Sequence, residues 1–163
     1  MMRQSWLELC LWGALATVVM TTALEGAQMT GITRMSLPFL FGTALTRSRR
    51  RAMILGYIAY TSGGLAFSFL YAVALQYLGL ATWWFGTIVG FIHGLFLVTV
   101  LLPNMPYVHP HMRSDFDGPS PSRKVEPPGP FGRNYGNLTA LTTVGGQTLF
   151  GLVLGGLLQL SSG

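Results

Sequence analysis

From Ala52 to Met112 the chain runs for 61 residues without a single Asp, Glu, Lys or Arg, and from Asn134 to Gly163 it does so again. About 20 apolar residues in a helix cross the hydrocarbon core of a bilayer. The first stretch is therefore long enough for a helical hairpin and the second for one more crossing. Only 9% of the residues are charged, against about 25% in a soluble domain, so the chain cannot present an ordinary wetted surface. The expectation is an all-α protein, a single transmembrane domain over 1–163 built as a four-helix integral membrane bundle. Its spans are expected at about 7–29, 52–79, 83–102 and 138–160.

The boundaries rest on proline and on charge. All nine prolines fall outside those spans, Pro38 in the first loop and the other eight between Pro103 and Pro130; a helix interior tolerates Pro poorly. Gly79 to Thr82 reads as a tight turn, and Trp83-Trp84 as an interfacial aromatic anchor. Met1-Met2-Arg3 before an apolar run has the form of a signal peptide, but the run continues past Glu25 to Met29, which is span length, so the first helix is expected to be retained.

Nine of the ten basic residues lie in two loops: Arg34, Arg47, Arg49, Arg50 and Arg51 after the first span, and Arg113, Arg123, Lys124 and Arg133 after the third. With four spans these loops share one side. The positive-inside rule makes that side cytoplasmic and puts the N and C termini on the non-cytoplasmic side. The net charge of +5 is thus read as a topology signal facing anionic headgroups, not as a nucleic-acid surface. The single Cys10 excludes an intrachain disulfide. Two segments do not span. Met35 to Thr46 is apolar but too short, and is expected to lie on the membrane surface or re-enter. The Pro-rich loop 103–133 is expected to be an extended arm lying on a neighbour.

Gly86, Gly90 and Gly94 recur at four-residue spacing in the third span, and Gly151 and Gly155 in the last. Such stripes let helix backbones approach closely in lipid. Gly13, Thr17 and Thr21 form a stripe in the first span, and Gly64, Ser68 and Ala72 in the second. Four stripes exceed what one compact bundle needs, so Gly151 and Gly155 are expected to dock another chain. His93 projects on the side of Gly86 and Gly90 and is a candidate cofactor ligand, although no particular cofactor is selected; an interhelical hydrogen bond is the simpler expectation. Glu25, His109, His111 and Asp115 are placed by topology at one membrane face, where His and carboxylate groups suit zinc or iron. The simpler role for Glu25 is an ion pair with Arg34 or another loop arginine at the interface. Tyr60-Thr-Ser-Gly-Gly64 lacks the first glycine of a Gly-x-Ser-x-Gly motif, and the chain has no phosphate loop, dinucleotide fingerprint or haem-attachment motif.

Gly13-Ala-Leu-Ala-Thr-Val-Val-Met20, Leu37-Pro-Phe-Leu-Phe-Gly42, Gly90-Phe-Ile-His-Gly94, His109-Pro-His-Met112 and the Phe131–Gly156 region together resemble a group of small bacterial multi-pass membrane proteins of unknown function. The resemblance implies a bacterial origin and this fold. It also implies a histidine in the last helix, where this chain has Gln147. The function expected is a non-catalytic subunit of a larger bacterial inner-membrane assembly, with lipid and other subunits or further copies of itself as partners. The alternative is a small metal-ion or proton transporter using Glu25 and His93.

Overall fold

The computed structural model describes residues 5–113 and 124–161. It is helical, with one isolated bridge between Met112 and Val125. The helices are α1 (Trp6–Met29), α2 (Leu37–Leu45), α3 (Arg49–Tyr77), α4 (Trp83–Phe96), α5 (Leu102–Val108) and α6 (Thr139–Leu160). A π-helical turn, Leu97–Leu101, joins α4 to α5. Four stretches, Trp6–Met29, Arg49–Tyr77, Trp83–Val108 and Thr139–Leu160, are long and apolar enough to cross a membrane, so by length and composition this is a multi-pass membrane protein.

Glu8 sits within the first span because it closes a capping box. Its carboxylate accepts from the Ser5 backbone N–H at 2.7 Å, while the Ser5 hydroxyl oxygen accepts from the Glu8 N–H at 3.2 Å. These bonds satisfy donors that a helix start leaves without partners. The third span, by contrast, does not stop at residue 102. The π turn, in which the Leu102 N–H reaches the Leu97 carbonyl, makes a fresh helix start. Pro103 occupies the first turn of α5, where its missing N–H costs little, and Pro106 lies inside the same short helix. Proline therefore marked the third boundary six residues early. Pro38 is also helical, in the first turn of α2.

Across the bundle the order is α3, α1, α6, α4, with α4 and α6 the most closely packed pair. Their seam is made of glycine. A Cβ added at Gly86 would lie 2.3 Å from the Gly151 carbonyl oxygen, one at Gly90 2.3 Å from that of Gln147, and one at Gly151 2.1 Å from that of Gly86. Packing of α1 on α3 reciprocates small and polar residues: Gly13 faces the Ser68 side chain and Gly64 faces Thr17. The two hydroxyls donate back to their own helices, Thr17 to the Gly13 carbonyl at 2.7 Å and Ser68 to that of Gly64 at 2.8 Å. Neither needs a partner across the interface. Gly155 is likewise filled, by the Thr82 carbonyl and Gly86. The docking role expected of Gly151 and Gly155 is thus overturned, because α4 already occupies that face.

Within residues 35–46, expected on the surface or re-entrant, Leu37–Leu45 forms α2, which runs back antiparallel along the first turns of α3. Gly42 meets the Ala52 carbonyl and Gly56 that of Pro38, each too closely to admit a Cβ. The described part of the Pro-rich loop also lies on its own chain. The Arg34 N–H donates to the Tyr135 carbonyl at 2.7 Å, and the Arg34 guanidinium to that of Asn134. Asn134 donates to the Pro127 carbonyl at 2.9 Å and Tyr135 to that of Glu126 at 2.6 Å. Burial, with the Glu126 carboxylate adding to it against the pull of Arg34, pushes the Tyr135 phenol up to about 12, so it remains a donor at neutral pH.

Gly90→Ala should lower the unfolding free energy in detergent by about 1–3 kcal/mol, since a carbonyl on a neighbouring helix cannot yield as a flexible side chain can. Gly26→Ala has nothing within 4 Å of the new Cβ and should raise it by about 0.5–1 kcal/mol through helix propensity. Denaturant titration followed by circular dichroism separates the two; equal responses would contradict the seam.

Candidate functional site

Because α3 meets α4 only sparsely, a cleft opens between them. It encloses about 390 Å³, within the range of small-molecule pockets. Phe67 of α3 and Phe96 of α4, 42% and 52% exposed, stand at its mouth. Buried Met20 of α1 and buried Gln147 and Phe150 of α6 form its floor. Among the described residues no Asp, Glu, Lys or Arg lines it.

His93 lies in this cleft. Its Nδ1 is 3.0 Å from the Tyr71 hydroxyl, and its ring stacks on Phe67 with centroids 4.5 Å apart. Tyr71 has a second, longer contact with the Val89 carbonyl at 3.4 Å, and its ring meets Phe150 edge-on at 5.3 Å. The Tyr71 hydroxyl carries one proton: given to Nδ1 it leaves the imidazole proton on Nε2, and given to the Val89 carbonyl it takes the Nδ1 proton and leaves Nε2 an acceptor. Nε2 has no hydrogen-bond partner among the described residues. Gln147 is 6% exposed, lines the cleft, and makes no side-chain hydrogen bond among the described residues. Gly94 brings it level with His93: a Cβ added there would lie 3.3 Å from the Gln147 Cβ. Two neutral polar groups therefore meet on one apolar cavity, and the π turn that follows His93 contributes Leu97 and Leu101 to its wall.

Among the described residues the other expected cluster is not brought together. His109 Nδ1 accepts from the His111 backbone N–H at 3.2 Å, which places the ring proton on Nε2, donated to the Leu40 carbonyl at 3.0 Å. The Thr43 hydroxyl lies 3.2 Å from the same Nε2 and donates to Leu40 at 2.8 Å. His111 Nδ1 donates to the Thr43 carbonyl at 2.7 Å. Both ring nitrogens of His109 are thus engaged in holding α5 on α2. Asp115 lies outside the described residues. Among the described residues no three His, Cys, Asp or Glu side chains group closely enough to hold a metal ion.

Glu25 stands beside the Tyr57 hydroxyl, and not against Arg34, whose guanidinium is taken by Asn134. It lines a narrow crevice with Thr21, Thr33 and Thr143. Tyr60 borders both this crevice and the His93 cleft and holds its hydroxyl 3.7 Å from Met20 Sδ. Glu25 and His93 therefore occupy separate recesses.

Sequence reasoning marked His93 but missed Tyr71 and Phe67 as its partners. Tyr71 lies one turn beyond Ser68, on the face of α3 that packs inward, which was the available signal. Known protein families, curated proteins and solved structures provide no match to this chain.

His109→Ala should lower the unfolding free energy by about 1–3 kcal/mol, the cost of leaving buried polar groups without partners. EDTA should leave the wild-type unfolding midpoint unchanged. A midpoint that falls on chelation and recovers with zinc would reinstate a metal at this end.

Proposed function

We propose that this chain is a non-catalytic integral membrane subunit of a bacterial inner membrane, with both termini on the non-cytoplasmic side, packed by the outer face of α6 against a helix of another chain. Gly145 carries the reading. It is exposed in α6, and an added Cβ there would meet nothing within 4 Å. Glycine inside a helix costs about 1 kcal/mol relative to alanine. Gly86, Gly90, Gly151 and Gly155 offset that cost through close helix contact within the chain; Gly145 does not. Leu141 and Leu152, 67% and 39% exposed, lie four residues before it and seven after. The face is thus a notch between two ridges, a shape that a neighbouring helix fills.

The orientation rests on the gathering of charge at one end. Arg34, Arg47, Arg49, Arg50, Arg51 and Arg133 all lie where α1 ends and α3 and α6 begin. Among the described residues, a recess of about 450 Å³ there is lined by Gln28, Arg34, Arg49 and Tyr135 and by no acidic residue. Such an end belongs against anionic headgroups of a cytoplasmic leaflet.

In a Cys10→Ser background, an impermeant thiol reagent applied to intact cells should modify a cysteine placed at Ser161 and spare one at Ser48; the reverse pattern inverts the topology. Gly145→Leu should insert and unfold like the wild type but run at monomer size in gentle detergent, where the wild type runs as a larger complex. A wild type that is itself monomeric, or a complex that survives Gly145→Leu, refutes the reading.

A further inference from the structure

We propose that the cleft between α3 and α4 binds a membrane-dissolved isoprenoid quinone, its carbonyl-bearing ring seated among the aromatic side chains and hydrogen-bonded to His93 and Gln147. The inference concerns a different face from Gly145 and does not depend on a partner chain.

The occupant's chemistry follows from the lining. With no charged side chain in the wall among the described residues, a charged ligand would have to leave lipid headgroups or water without compensation. The ligand is therefore neutral. A bare acyl chain would satisfy the apolar wall but leave the Gln147 amide, which opens on the cleft from a residue only 6% exposed, without a hydrogen-bond partner among the described residues. Sealing that amide under an apolar chain would cost about 1–3 kcal/mol, a cost that an occupant able to hydrogen-bond there avoids. The Gln147 amide offers an N–H donor, as does His93 Nε2 in the tautomer in which Tyr71 donates to Nδ1, and a quinone carbonyl accepts. Phe67, already stacked on the His93 ring, and Phe96 present aromatic surface for a flat ring. The mouth between Phe67 and Phe96 opens on the apolar perimeter of the bundle, and Gly63 leaves open space on the α3 wall where any side chain would intrude. An isoprenoid tail can leave by that route without crossing the basic end. The π turn beside His93 is a helix defect of the kind found at binding sites.

The test uses the full-length protein in dodecyl maltoside, stripped of co-extracted lipid and titrated with decylubiquinone. Decylbenzene, with a ring and the same tail but no carbonyl, is the control. Decylubiquinone should raise the unfolding midpoint saturably at about one molecule per chain, and decylbenzene should not. Gln147→Leu and His93→Leu should each raise the half-saturating concentration at least tenfold. The unliganded Gln147→Leu protein should unfold at or above the wild-type midpoint, because the substitution removes an unpaired amide; its loss of binding therefore cannot be loss of fold. Gly63→Leu should abolish the response by filling the cleft, with both polar groups intact. Equal stabilisation by decylbenzene would identify the cleft as a seat for lipid tails and overturn the proposal. So would a wild-type response retained by both Gln147→Leu and Gly63→Leu.

Discussion

The backbone contact between α4 and α6 is the constraint from which the rest of the structure follows. In lipid, apolar side chains gain little by leaving the solvent, so two spanning helices hold together by close packing and by contacts such as Cα–H to carbonyl oxygen. Those contacts require the helix axes to approach within the reach of a Cβ. At Gly86, Gly90 and Gly151 a Cβ would fall 2.1–2.3 Å from a carbonyl oxygen of the facing helix, so the pair exists only because those positions carry none. Committing α6 to α4 on one side, and to α1 through Gly146 and Leu24 on another, fixes where the remaining helices can go. α3 is left to pack on α1 and α2.

That commitment opens the cleft. α3 reaches toward α4 mainly through the Tyr71 hydroxyl, which contacts His93 and Val89, and through Phe67 stacked on the His93 ring. A larger small-residue match between α3 and α4 would have closed the gap. Instead Gly63 faces open space, and Gln147, held level with His93 by the tightness of the α4–α6 seam, is exposed to the cavity rather than to a partner. The cavity and its two polar groups are thus a consequence of which helix pair packs tightest. The basic end follows a different logic. Its loops return onto their own chain because proline-rich backbone leaves carbonyls without nearby donors. Asn134, Tyr135 and Arg34 supply those donors, while His109 and His111 supply them to the carbonyls at the end of α2.

The four spans and the clustering of basic residues at one end were legible from residue order alone, since an uncharged run and its flanking arginines are local properties that length and solvent preference decide. The third boundary was not, because proline at a helix start and proline as a helix breaker are the same letter; the π turn at Leu97–Leu101, which makes the difference, is visible only in the backbone. His93 stood out as an ionisable residue within a span, but its meaning depended on Tyr71, 22 residues away on a different helix. Likewise Gly151 and Gly145 look alike in sequence, six residues apart in one helix. One is filled by Gly86 and the other faces open space. A glycine announces that a close approach is possible there, but which helix makes it depends on how all the stripes are shared out among the helices, and that is a property of the assembled bundle.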